Sequence, residues 1–139
     1  MNRYISVALL VVIATGVFVY MGKSADNILK TNRIELAQVN VPDQMSASAL
    51  MGKKGFDANC ASCHGQNAAG QNGIAPPLIH KIYEPSHHGD ESFQRAVAMG
   101  VRAHHWKFGN MPAIEGLTRA DIKAITAYVR ELQRHNGIN

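Results

Sequence analysis

The sequence predicts an all-α domain over residues 45–139, built on three main helices and preceded by a membrane-spanning N-terminal helix. Three observations carry this. From Ile5 to Met21 seventeen consecutive residues are uncharged, dominated by Val, Ile, Leu and Ala. Further on, apolar residues recur with helical spacing in separate segments, and no run alternates with period two over the length of a strand. Between those segments, Cys60-Ala61-Ser62-Cys63-His64 is the C-x-x-C-H pattern that attaches a c-type haem. A flat, largely apolar porphyrin can serve as the middle of a core that so short a chain could not otherwise fill.

The apolar run has Arg3 before it and Lys23 after it, with Tyr4 and Tyr20 where amphipathic rings would meet the two membrane interfaces. At ~1.5 Å per residue it spans roughly 25 Å, within the range for a transmembrane helix. A cleaved secretory signal shares the basic start and the apolar stretch, but it needs small residues at its cleavage site. Gly22-Lys23-Ser24 puts Lys in the middle of that site, and Ala14-Thr15-Gly16 lies inside the apolar stretch. The reading is an uncleaved anchor over residues 1–21. Arg3 and the terminal amine bias the start toward the cytoplasm, which places the rest on the periplasmic side of the inner membrane.

Residues 22–44 are mixed and polar and read as a flexible tether, with an r.m.s. span of roughly 25–30 Å. The domain is expected to start at residues 45–46. Ala49, Gly52, Phe56 and Cys60 form the first helical stripe, with Lys53, Lys54 and Asp57 turned away. Gly52 and Gly55 each lower helix propensity by nearly 1 kcal/mol relative to Ala. Close approach of another helix would compensate at Gly52.

Two thiols three positions apart can add to the two vinyl groups of one porphyrin edge, and His64 can take the iron's proximal position. Cys60 and Cys63 are the only cysteines, so no disulfide framework competes for them. A zinc site would need two further ligands. A dithiol redox motif is the rival reading, but it normally sits in a strand–helix context and has no reason to carry the adjacent His.

Asp90 is expected to cap a shorter helix to Met99, with Phe93 and Val97 inward and Gly100 as its stop. Thr118-x-x-Asp121 reads as a capping box with Asp in place of Glu. Ile122, Ile125, Tyr128, Val129 and Leu132 then form one face, Lys123, Arg130 and Arg134 the other, and Asn136-Gly137 ends the helix. In the loop between, Gly109-Asn110-Met111-Pro112-Ala113 presents Met111 forty-seven residues after His64. A thioether is a soft neutral ligand that favours Fe(II), and Met111 is the expected second axial ligand. Met45, Met51 and Met99 read as packing or surface residues.

From Ser46 to Gln133 the chain resembles a class I cytochrome c, in its membrane-anchored bacterial form. The resemblance rests on CASCH at 60–64, Gly52 and Phe56 ahead of it, GNMPA, and Ile125 and Tyr128 in the last helix. It implies the cytochrome c fold, one covalent haem c per chain, and a first helix crossing the last near a right angle. It also implies that the Pro76 carbonyl accepts the Nδ1–H of His64, with Pro77 as the competing assignment. Trp106 reads as a core residue whose indole N–H needs a buried acceptor. The resemblance suggests a haem propionate for it, with Tyr83 and Arg102 as weaker candidates for that duty.

His87-His88 lies in a turn composition and reads as solvated. His104 and His105 precede Met111 and could replace it at high pH. Residues 45–139 carry ten Lys plus Arg against seven Asp plus Glu. Lys53, Lys54, Lys81 and Lys107 are candidates to ring an exposed haem edge and steer an acidic partner. No basic stripe interleaved with aromatics points to nucleic acid. The implied function is one-electron transfer between respiratory or photosynthetic complexes of the membrane, not enzymatic and with no small-molecule substrate. The alternative is a haem-based gas sensor or catalytic haem subunit with a displaceable sixth ligand.

Overall fold

The computed structural model describes residues 35–139, together with Val17 and Tyr20. Apart from those two positions, the expected anchor and residues 22–34 lie outside the described residues. Among the described residues no helix is long and apolar enough to cross a membrane.

The elements are helical: α1 (Ala47–Asn59), the single turn α2 (Ala61–His64), α3 (Asp90–Met99) and α4 (Arg119–His135), with 3₁₀ turns at Gln66–Ala68 and Lys81–Tyr83. The only ladder pairing among the described residues is two isolated bridges, Gln71 with Ala75 and Val101 with Met111.

Ser46 starts α1 by accepting from the Ala49 amide at 3.2 Å. Its own amide and hydroxyl both donate to Glu131 of α4, at 2.9 and 2.8 Å, so the start of α1 is pinned to the end of α4. At Gly52 the two helices touch through backbone: a Cβ there would lie 1.9 Å from the Ala124 carbonyl oxygen. One turn on, Phe56 meets Tyr128 with ring centroids 5.5 Å apart. Phe56, Tyr128, Val129 and Leu132 are fully buried, each large side chain contributing ~1.5–3 kcal/mol by leaving water. The Thr118 box closes as expected, with Thr118 accepting from the Asp121 amide and Asp121 accepting from the Thr118 amide. Asn136 ends α4.

Three expectations change. The segment entering the domain is held before residue 45. The amides of Leu36 and Ala37 both donate to the Ala69 carbonyl, at 3.2 and 3.0 Å. Asn40 exchanges two hydrogen bonds with the Asn136 side chain, at 2.9 and 2.8 Å. Residues 36–40 therefore belong with the domain, and the expected tether is shortened at that end. Second, the N-cap of α3 is Gly89, not Asp90. Asp90 is the first helical residue and its carboxylate turns to Arg130.

The third is Arg130 itself, assigned to the solvent face of α4 but only 6% exposed. Its Nε donates to Asp90 at 2.8 Å, and its Nη1 to the Tyr83 carbonyl at 2.7 Å and Gln133 Oε1 at 2.6 Å. Its Nη2 donates to the His88 carbonyl, and the guanidinium lies 5.0 Å from the Phe93 ring centroid. With all three of its nitrogens engaged, one cation ties the 83–88 turn, the start of α3 and α4 together. Arg130→Met should cost about 2–4 kcal/mol, because the His88 carbonyl and Gln133 Oε1 lose their donor. Thermal denaturation of the haem-loaded protein checks this, and an unchanged Tm would contradict it.

Candidate functional site

The haem-attachment turn is shaped by its neighbours. α1 runs directly into α2, and the His64 and Gly65 amides close the turn onto Cys60 and Ala61 at 2.9 and 3.0 Å. Gln71, buried, reaches across from the following loop. Its Nε2 lies 3.2, 2.8 and 3.1 Å from the carbonyls of Ala61, Ser62 and Cys63. The Ala61 carbonyl already accepts from the Gly65 amide, but those of Ser62 and Cys63 have no helix continuing beyond them, and the Gln71 amide supplies their donor. Nothing in the sequence reading singled out Gln71, because a Gln in a loop carries no periodic signal.

The His64 Nδ1 lies 2.9 Å from the Pro76 carbonyl. A carbonyl can only accept, so Nδ1 carries the proton and Nε2 is left with its lone pair. Burial also pushes the His64 pKa down, only partly opposed by the Pro76 bond, so the ring is held neutral. A neutral imidazole with its second nitrogen fixed by a carbonyl is the form in which histidine binds metals. Cys60 is buried and Cys63 exposed, and neither is in a disulfide. Burial, and then the neighbouring Cys63, push the Cys60 thiol up to about 11. That is opposite to the electropositive setting that activates a dithiol redox pair.

Met111 arrives by a different device. Val101 and Met111 exchange amide–carbonyl bonds at 2.9 Å each way. Gly100, at φ 74° after the end of α3, passes the Met111 carbonyl so closely that a Cβ would lie 2.5 Å from it. Together Gly100 and Val101 fix the backbone on which the thioether is carried. Asn110 adds a bond from the Ala103 amide to its Oδ1 at 2.9 Å, closing the loop across its base.

Cys60, Cys63, His64, Pro76, Trp106 and Met111 all line one cavity of about 600 Å³. That volume lies within the ~300–1,000 Å³ of pockets that take organic cofactors. The wall is mostly apolar, with Phe56, Phe93, Val97, Ile125 and Val129 on it. Trp106 is half-buried rather than a core residue, packed edge-on to His80 and stacked with Phe108 at centroid distances of 5.2 and 5.7 Å. Its Nε1 is buried without a hydrogen-bond partner. Burial pushes the Tyr83 phenol beside it up, partly offset by the nearby indole N–H, which does not reach hydrogen-bond geometry with it. A buried donor without an acceptor normally marks a missing polar group. Two unpaired thiols, an imidazole lone pair and an orphaned indole donor around an apolar cavity fit a haem. Arg95 and Arg102 are on the wall, and so are His88, His104 and His105. Lys53, Lys54, Lys81 and Lys107 are not on it, and Lys53 is engaged with Asp57 at 2.5 Å.

Residues 49–133 match the model of the cytochrome c family. The chain is 37% identical over 94 residues to the cbb3-type cytochrome c oxidase subunit FixP of Bradyrhizobium sp. (strain ORS 278), covering 66% of this chain and 30% of that protein. It is 34% identical over 120 residues to the cbb3-type cytochrome c oxidase subunit CcoP of Azospirillum brasilense, covering 77% and 38%. Against the cytochrome c6 of Picosynechococcus sp. (strain ATCC 27264 / PCC 7002 / PR-6) the identity is 35% over 98 residues, covering 66% and 79%. The chain thus spans about a third of the length of the oxidase subunits it matches. No solved structure matches it.

Proposed function

This chain belongs to the cytochrome c family, and from that premise we propose that it is a membrane-tethered carrier of single electrons between redox complexes. When bound, haem c supplies a reversible Fe(III)/Fe(II) couple. Cys60 and Cys63 would hold the group covalently, and His64 Nε2 and Met111 Sδ would ligate its iron. The Pro76 carbonyl keeps the imidazole in the right tautomer and orientation. The Trp106 indole would offer its unpartnered N–H to a propionate. The observation that carries the reading is that Met111 lines the same cavity as the C-x-x-C-H residues, although a long stretch of chain separates them.

With His64 and Met111 both ligating the iron, no position on it would be open to a small-molecule substrate. The redox partners are proposed to be membrane complexes, since relatives of this chain are named as subunits of a cbb3-type oxidase. The uncharged run at Ile5–Met21 supports a single-pass anchor in the inner membrane, with the haem domain on the periplasmic side. Purification from detergent-solubilised membranes tests the partner: co-purifying redox subunits are expected, and a chain that leaves the membrane with none would remove this part.

The ligand assignment is tested by Met111→Leu. The oxidised parent should show the weak near-infrared charge-transfer band of thioether ligation, and the ferrous parent should not bind CO. The variant should lose the band, gain CO binding, and drop in potential by on the order of 0.1–0.3 V, a fraction of the ~0.8 V that axial ligands span. A parent that binds CO readily at neutral pH would instead favour the gas sensor or haem enzyme.

A further inference from the structure

Four histidines that are not assigned as haem ligands come together from two loops, and three of them, His88, His104 and His105, stand on the wall of the haem cavity. His87 and His88 close the turn before α3, and His104 and His105 sit in the loop that leads to Met111. Ring centroids are 4.7 Å apart for His87 and His88, 5.4 Å for His87 and His105, and 5.3 Å for His88 and His105. His104 stands 4.1 Å from His105. One ring nitrogen from each of His87, His88 and His105 lies within 4.8 Å of the other two. Three nitrogens on a tetrahedral zinc at ~2.0–2.1 Å are roughly 3.3 Å apart. Small rotations of the exposed His87 and His105 rings toward the half-buried His88 close that difference.

The His87–His88 turn is built rather than loose. The His87 and His88 amides both donate to the Glu84 carbonyl, at 3.0 and 2.8 Å. The His88 carbonyl accepts from Arg130. The His88 Nδ1 lies 2.6 Å from the Ile82 carbonyl, which fixes the proton there and leaves Nε2 as a ligand. A carbonyl behind a ligating imidazole orients it in the way metal sites require.

We propose that His87, His88 and His105 form a site, separate from the haem iron, for one divalent ion of the imidazole-preferring class, Zn²⁺ or Cu²⁺. Three imidazoles with no carboxylate among them select such ions over Mg²⁺ and Ca²⁺. A bound ion ties the 84–88 turn to the loop that carries Met111.

Calorimetric titration of tag-free, full-length, haem-loaded protein with Zn²⁺ tests this. One Zn²⁺ per chain is expected, with no binding of Mg²⁺ at the same concentrations. His87→Ala and His105→Ala should each weaken Zn²⁺ at least tenfold while leaving the near-infrared thioether band of the oxidised protein in place. His135→Ala, at the far end of α4, should leave Zn²⁺ binding as in the parent. Zn²⁺ should also slow amide exchange over residues 101–108. Absence of saturable binding, parental affinity in a His87→Ala, His105→Ala double variant, or binding that alters the haem's axial spectrum would each overturn the site.

Discussion

Gly52→Ala is expected to lower the stability of the haem-loaded domain by at least about 3 kcal/mol, at or beyond the upper end of what overpacking usually costs. The added methyl would sit 1.9 Å from the Ala124 carbonyl oxygen and 2.4 Å from its carbon. Both are backbone atoms of α4, so no rotamer change relieves the clash and the two helices must separate. Separation opens the contact between Phe56 and Tyr128 just beyond. Gly55→Ala, one helical turn along, is the internal comparison. Its methyl would meet only Ile125 Cγ1 and Cδ1, at 3.1 and 3.2 Å, the movable end of a side chain. There the gain of nearly 1 kcal/mol in helix propensity offsets the tightness, and the net change should be within about 1 kcal/mol of zero. Equal melting temperatures for the two variants would show that the helix crossing is not as close as described.

The second large effect is loss of the prosthetic group. A Cys60→Ala, Cys63→Ala double variant should retain no cooperative thermal transition like that of the loaded protein. A cavity of about 600 Å³ lies among α1, α3 and α4, and its wall is mostly apolar. Left without a body to cover it, that wall meets water, and a domain this small has little other apolar area with which to compensate. Near-UV circular dichroism and thermal melts give the result. A double variant that unfolds as sharply and as late as the parent would mean that the polypeptide alone supplies the core.

Much of this arrangement was legible locally. The Ser46 start, the Thr118 box, the Asn136 end and the need for a close neighbour at Gly52 each depend on residues within a turn or two of one another. The parts that were not legible are contacts between distant polar groups. Hydrophobic periodicity sorts Arg130 with the solvent because it weighs charge alone, whereas burial of a guanidinium depends on Asp90 and two carbonyls from another loop. Asp90 looked like a cap for the same reason: its side chain could satisfy the helix start, but Arg130 has the stronger claim on it. The His87–His88 turn read as solvated because nothing in its own composition announces that His104 and His105 fold against it. Gln71 and Gln133, both buried, escaped notice because an amide side chain signals neither core nor surface until its carbonyl partners are known.

Gln71 has a consequence for the order of events in maturation. One primary amide collects the carbonyls of Ala61, Ser62 and Cys63, which makes the attachment turn a stiff claw. Bond formation at two sulfurs in sequence is faster when the first bond leaves the second thiol already facing its vinyl carbon, since the geometry is then inherited rather than searched for. Gln71→Ala should therefore yield protein in which single-thioether by-products accumulate, a defect visible by mass spectrometry as a fall in the doubly attached fraction.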